Sequence, residues 1–139
     1  GMEKQQIINF ANQKNCNVFF HGSVDRSMVN EKIRKYNISI VPLKNRIQGA
    51  VPSKLFELMG LGVPILYTCE GEASDIIVNN NLGFVSESNN FESLKQTILK
   101  FKNLSTEDYS IMSKNCLRKH QDEYRLDYQL NNLINLINN

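Results

Sequence analysis

The sequence predicts an α/β fold, a Rossmann-like parallel sheet of about four strands flanked by helices. Short apolar runs of strand type alternate with longer segments whose apolar residues recur at helical spacing. Turn and cap residues such as Gly22, Gly62 and Pro64 separate these runs. A chain of 139 residues has the size of one domain, so residues 1–139 are expected to form a single unit.

The predicted elements follow in order from the spacing of apolar residues. Residues 3–15 have apolar side chains on one side of a helix, and residues 18–20 (Val-Phe-Phe) form a short strand that ends at Gly22. A helix capped by Ser23 or Asp25 comes next. The remaining elements are a strand at 38–41, a loop at 44–50, a helix at 52–60, a strand at 65–67, a helix at about 72–78, a strand at 84–85, and helices at about 91–102, 106–119 and 122–137. Strands that alternate with helices predict parallel pairing.

Composition and charge exclude several kinds of partner and site. The formal net charge is only +2, so no nucleic-acid partner is expected. Cys16, Cys69 and Cys116 are odd in number and far apart, which predicts neither a disulfide framework nor a metal site. No apolar run approaches the roughly 20 residues of a membrane-spanning helix. We therefore expect a cytoplasmic protein without a transmembrane segment.

The most informative stretch is residues 51–66, VPSKLFELMGLGVPIL. Pro52 suits the first turn of a helix, whose free N–H groups and partial positive charge suit a phosphate. Glu57 follows about one and a half turns later, at roughly 3.6 residues per turn, where a carboxylate can accept hydrogen bonds from sugar hydroxyls. Gly62 is expected to end the helix, and Pro64 to begin the next strand.

This stretch resembles the donor-nucleotide half of retaining GT-B-fold glycosyltransferases, the glycosyl transferases group 1 or family 4 type. The most similar branch has the motif P-S-K-x-x-E-x-M-x-x-G-x-P-I. The resemblance extends to segments 17–24 (NVFFHGSV), 38–43 (ISIVPL), 71–73 (GEA), 82–85 (LGFV) and 124–128 (YRLDY). It implies a partial GT-B C-terminal domain whose strands are the third to sixth of the order 3-2-1-4-5-6.

The same resemblance implies that two opening βα units and the N-terminal, acceptor-binding domain are missing. The chain would then be an engineered fragment or a truncated gene product, and inactive by itself. As the intact protein it would move a hexosyl or N-acetylhexosaminyl unit from a nucleotide-diphosphate sugar to a glycan or lipid-linked acceptor. That reaction belongs to bacterial polysaccharide or glycolipid biosynthesis, in the cytoplasm or at the inner face of the membrane. The nucleotide sugar is a substrate, and no cofactor is implied.

The resemblance assigns donor-binding roles to residues in four parts of the chain. They are Val51, Pro52, Ser53 and Lys54 beside the phosphates, Glu57 on the ribose, Gly22 and Ser23 on the nucleobase through their backbone, Pro42 and Leu43 as an apolar wall for the base, and Gly71 and Glu72 near the donor. No residue receives a catalytic role. Relatives commonly carry a second acid eight positions before Glu57, where this chain has Gly49.

Each of these residues also has an ordinary structural explanation. Glu57 and Lys54 could be solvated helix residues, and Ser53 could cap the helix. Lys44 and Arg46 could contact phosphate or an acidic acceptor, but a solvated loop fits them better. His21 ends a predicted strand at the edge where such sheets bind ligands, but a lone histidine is more often structural. Residues 118–120 (Arg-Lys-His) fit a solvated helix end.

Two other functions stay open at this point. One is a non-catalytic nucleotide-binding or assembly module. The other is an unrelated Rossmann-like protein, although a dehydrogenase would carry G-x-G-x-x-G after a strand and a receiver would carry an acidic cluster, and neither is found. Missing strands would leave the strands at 18–20 and 38–41 with open edges, so we expect a homodimer.

Overall fold

A computed structural model describes residues 4–14, 16–46 and 48–138 and has the predicted α/β architecture. Along the chain the elements are α1 (Lys4–Gln13), α2 (Arg26–Ile33), β1 (Ser39–Val41), α3 (Ser53–Leu61), β2 (Ile65–Tyr67), α4 (Glu72–Asn79), β3 (Gly83–Val85), α5 (Phe91–Lys102), α6 (Thr106–Lys119), a π turn (His120–Tyr124) and α7 (Leu126–Ile137). The predicted ends of the first helix, residues 3 and 15, lie outside the described residues.

The sheet has three parallel strands in the order β1-β2-β3. Side chains alternate between the faces of a strand, so one row across the sheet is Ile40, Leu66 and Phe84. The Phe84 ring packs 4.7 Å from that of Phe101 on α5. Residues of the alternate row, among them Tyr67, form the buried core with α3. Helices α3 and α5 therefore cover opposite faces of the sheet.

The strand predicted at 18–20 is wrong. Residues 16–25 form neither helix nor strand, and the Val18 and Phe19 side chains are 51% and 76% exposed. An apolar, β-branched run supplies the propensity for a strand, but a strand forms only where another strand satisfies its backbone groups. Within the described residues no strand pairs with this segment, so the sheet has three strands instead of about four.

The predicted ends of the helices are mostly confirmed, because the cap residues act as expected. Gly62 ends α3 in the left-handed conformation, with φ at +69°. Asp25, and not Ser23, caps α2 by accepting a hydrogen bond from the Ser27 N–H at 2.9 Å. Helices α5 and α6 have the predicted bounds.

The predicted helix over 122–137 is wrong at its start. The chain continues from α6 into the π turn, and α7 begins only at Leu126. Arg125 is extended, with φ at −68° and ψ at 138°, and breaks the helical path between them. The wider turn has no signal in the residue spacing, because it is fixed by side chains that pack on α3.

Candidate functional site

Most of the predicted site residues lie at the carboxyl edge of the sheet. β1 leads into Pro42 and Leu43, and β2 leads through Thr68 towards Gly71 and Glu72. All three strands are parallel, so their carboxyl ends lie at one edge, where open α/β sheets bind ligands. The fold thus brings residues from two predicted groups to the same edge.

The helix α3 begins without a side-chain cap. Pro52 takes the N-cap position, and no side chain in the described part of the chain accepts from the first-turn N–H groups. Ser53 lies inside the helix, so the alternative that it caps α3 is wrong. Ser53 and Lys54 are both exposed. The first turn is therefore open to an external acceptor, with the polarity that suits an anion.

Glu57 is exposed in the second turn of α3, beside residues that are fully buried. Its neighbours Leu55 and Leu58 anchor the helix in the core with 0% and 3% of their surface exposed. The Glu57 carboxylate forms no hydrogen bond or ion pair with any residue in the described ranges. A rigid helix thus holds a carboxylate that is free to accept hydrogen bonds.

The start of α4 lies close to the loop that follows β1. Gly71 has φ at +117° and ψ at −162°, a conformation reserved for glycine. A Cβ at Gly71 would meet Arg46 Nε at 2.8 Å. Arg46 is exposed, as expected of a solvated loop residue, and its side chain also lies against Gly71, next to the exposed Glu72. Like α3, α4 has no side-chain cap.

Pro42 and Leu43 line an open pocket of about 520 Å³. The remaining lining residues are Lys44, Thr68, Glu87, Asn89, Asn90, Phe91 and Leu94. An apolar wall with a polar rim is the usual form of a small-molecule site. Pro42 and Leu43, the expected wall for the nucleobase, thus line a concave surface.

The sequence interpretation missed Thr68, which fixes this wall. Its hydroxyl accepts from the Leu43 N–H at 2.8 Å and donates to the Leu43 carbonyl at 3.2 Å. These bonds tie the loop after β1 to the end of β2. A polar residue placed directly after a buried strand is the signal that could have identified Thr68.

Gly22 and Ser23 lie in the irregular segment before α2, and both are exposed. No atom of the described residues is within 4 Å of the position that a Cβ on Gly22 would take. Nearby, His21 Nε2 hydrogen-bonds with the Tyr36 hydroxyl at 2.7 Å, which fits the structural explanation of this histidine. The structure records no contact between Gly22 and the pocket.

A second open pocket, of about 440 Å³, lies at the opposite edge of the sheet. It is lined by residues before β1 and around the α5–α6 connection, including Ile38, Leu104 and Tyr109. None of the predicted site residues lines it. It provides an internal comparison for any test of ligand binding at the carboxyl edge.

The π turn packs two side chains against α3, one turn apart. The Tyr124 ring lies 4.7 Å from that of Phe56, and the His120 ring lies 3.1 Å from the position that a Cβ on Gly60 would take. His120 Nδ1 is buried without a partner among the described residues, so the expectation of a solvated His120 is wrong. Burial raises the pKa of Tyr124, Lys119 lowers it, and Glu123 and Glu72 raise it further.

Within the described ranges, no three His, Cys, Asp or Glu side chains are grouped to hold a metal ion. None of the helices in the described part of the chain combines the length and apolar character needed to cross a membrane.

The model of the family described as Glycosyl transferases group 1 matches residues 1–119, which include every element from α1 to α6. Comparison with curated proteins gives no match.

Proposed function

Because this chain belongs to the glycosyl transferases group 1 family, as a C-terminal-type domain of the GT-B fold, we propose that it binds a nucleotide-diphosphate sugar. The sugar is a hexosyl or N-acetylhexosaminyl unit. In the intact protein it passes to a glycan or lipid-linked acceptor, in polysaccharide or glycolipid biosynthesis. The transfer takes place in the cytoplasm or at the inner face of the membrane.

One observation supports the proposal most strongly. Among the described residues, Glu57 is an unpaired carboxylate on a helix whose first turn is uncapped, at the edge of the sheet where α/β folds bind ligands. The helix N-terminus suits the phosphates, and the carboxylate suits the ribose hydroxyls. Both groups sit on one rigid element, which fixes their separation before the ligand arrives.

The remaining residues are assigned by their positions around this helix. Pro42 and Leu43 form an apolar wall for the nucleobase, and Gly22 and Ser23 approach the base with their backbone. Gly71 and Glu72 lie towards the sugar. Electrostatic stabilisation of the leaving diphosphate is then supplied by the N–H groups of Val51, Ser53 and Lys54, without a metal or a cofactor.

We further propose that residues 1–139 form one donor-binding domain that does not transfer sugar alone. Transfer requires an acceptor held in line with the donor, and such orientation can contribute several kcal/mol. The family match supports a C-terminal-type domain of the GT-B fold. Incubation with a nucleotide sugar should therefore give neither transfer nor hydrolysis above background, and robust turnover by a homogeneous sample contradicts this.

The test of the binding proposal is a calorimetric titration of the chain with UDP, UDP-N-acetylglucosamine and GDP. We expect weak binding of the uridine nucleotides. Glu57→Gln should weaken it about tenfold or more, because a hydrogen bond to a charged group contributes roughly 1.5–3 kcal/mol.

Glu107→Gln is the matched control, because Glu107 is also an exposed helix glutamate but lies on α6. It should bind as the wild type does. Equal affinity of the Glu57→Gln chain and the wild type rules out the ribose role. Nucleotide binding without transfer by the intact protein favours the alternative, a non-catalytic nucleotide-binding or assembly module.

A further inference from the structure

Tyr124, at the end of the π turn after α6, places a second aromatic ring beside Phe56 of α3. Its ring packs against Phe56 at 4.7 Å with a tilt of 46° and borders the buried core. Phe56 directly precedes Glu57 in α3. Tyr124 is thus anchored one residue from the carboxylate assigned to the ribose.

The π turn holds Tyr124 in this place. His120 and Tyr124 begin and end the turn, and they contact Gly60 and Phe56, which lie one turn apart on α3. Lys119 and Glu123 form an ion pair of 2.5 Å along the same turn. Helical π turns occur frequently at functional sites. Here the wider turn places the rings of His120 and Tyr124 against α3.

The hydroxyl of Tyr124 is available for a ligand. It forms no hydrogen bond with a residue of the described part of the chain, and the residue is only partly exposed. Burial raises the pKa of this phenol most, Lys119 lowers it, and the negative charges of Glu123 and Glu72 raise it further. The hydroxyl therefore stays protonated at neutral pH and acts as a hydrogen-bond donor.

The chemistry of the site calls for such a donor. Glu57 and Glu72 are carboxylates, which accept hydrogen bonds but donate none when ionised. Phosphate oxygens and ring or carbonyl oxygens of a nucleotide sugar need donors. A neutral phenol supplies one without adding charge.

We propose that Tyr124 is a further donor-binding residue, whose hydroxyl donates a hydrogen bond to an oxygen of the bound nucleotide sugar between Glu57 and Glu72. This inference rests on the proposed function. It adds to the site a residue outside the family match, which ends at residue 119.

The test compares Tyr124→Phe with the wild-type chain in titrations with UDP and UDP-N-acetylglucosamine. The substitution removes only the hydroxyl and keeps the ring on Phe56, so the midpoint of thermal unfolding should stay within about 1 °C. We expect affinity for at least one of the two nucleotides to fall about three- to tenfold, the range of one hydrogen bond. Tyr128→Phe, on the exposed face of α7, is the control and should bind as the wild type does.

A second measurement follows nucleotide binding in the wild-type chain itself. With ¹³C-labelled tyrosine rings, the Tyr124 Cζ signal, assigned by its loss in Tyr124→Phe, should move as nucleotide is added. The signal of Tyr128 should stay in place. Unchanged affinity in Tyr124→Phe, or an unmoved Tyr124 signal at saturation, overturns the inference.

The outcomes separate this inference from the proposed function. Weakened binding in Glu57→Gln with full binding in Tyr124→Phe keeps the donor site and removes Tyr124 from it. Absence of binding by the wild-type chain overturns the proposed function, and the role of Tyr124 with it.

Discussion

At the scale of single residues, Gly83 is the position with least room. It lies in β3 opposite Ile65, and a Cβ there would come within 1.8 Å of the Ile65 carbonyl oxygen. That atom belongs to the backbone of the central strand and cannot move aside. Gly83→Ala should therefore lower the free energy of unfolding by about 3 kcal/mol or more, at the upper end for overpacking.

Gly22→Ala is the control, since a Cβ at Gly22 meets no described atom within 4 Å. Urea unfolding of both variants measures the difference. Equal stability of the two variants contradicts the close approach of Gly83 in β3 to the backbone of Ile65 in β2.

The buried thiol of Cys116 predicts a loss of stability in alkali. Its Sγ–H donates to the Leu82 carbonyl at 3.4 Å, and burial raises its pKa from 9.0 to about 12. Between these values the unfolded chain releases a proton that the folded chain retains. The free energy of unfolding should therefore fall as pH rises, by up to about 1.4 kcal/mol per pH unit from this group.

Urea unfolding at pH 8 and pH 10.5 measures how steeply the free energy of unfolding falls with pH. This pH dependence should be smaller in Cys116→Ala than in the wild type. Burial also raises the pKa of Tyr67 and of the partly buried Tyr109, which adds to the slope above pH 10 in both chains. An identical slope in the two chains shows that the thiol does not contribute.

At the scale of elements, Ser105 fixes the start of α6. Its hydroxyl accepts from the Asp108 N–H at 3.0 Å and donates to the Asp108 carboxylate at 2.7 Å. Ser105→Ala should cost about 1 kcal/mol of stability. Ser110→Ala, within the same helix, removes a hydroxyl that plays no part in the cap and should be close to neutral. A Ser105→Ala chain as stable as Ser110→Ala contradicts the cap.

Local signals explain which elements could be predicted from the sequence. Helices α5 and α6 have the predicted bounds because each has a periodic apolar side, and the structure adds that Asn90 and Ser105 cap their first turns. The sequence predicts a strand at 18–20 that does not form, because a strand depends on a partner strand. The π turn has no sequence signal, because it depends on the packing of His120 and Tyr124 on α3.

The candidate site divides in the same way. Glu57 and Gly71 were identified because the motif and the turn are contiguous in sequence. Thr68 hydrogen-bonds with Leu43, 25 residues away, and Tyr124 packs on Phe56. Contacts over such separations leave no local pattern, so only the fold reveals them.

At the scale of the whole molecule, apolar side chains remain exposed on the α5 side of the sheet. Ile40, Phe91 and Ile98 are 45%, 88% and 41% exposed, and within the described residues β1 has a partner on one side only. Apolar burial contributes roughly 25 cal/mol per Å². We therefore expect a symmetric dimer at micromolar concentration, measured by light scattering.

Ile40→Lys should shift this equilibrium towards the monomer, because lysine on an edge strand opposes pairing. Val78→Lys, at an exposed apolar position on α4, should leave it unaltered. A wild-type chain that is monomeric at every concentration contradicts the dimer.

The central claim is that a nucleotide sugar binds at the carboxyl edge of the sheet, and backbone NMR tests it most directly. Uridine nucleotide added to the ¹⁵N-labelled chain should shift the amide signals of Leu43, Ser53 and Glu72, which lie at that edge. Signals of Ile38 and Leu104, at the opposite pocket, should stay in place. Shifts concentrated around Ile38 and Leu104, or no shifts at millimolar nucleotide, contradict the claim.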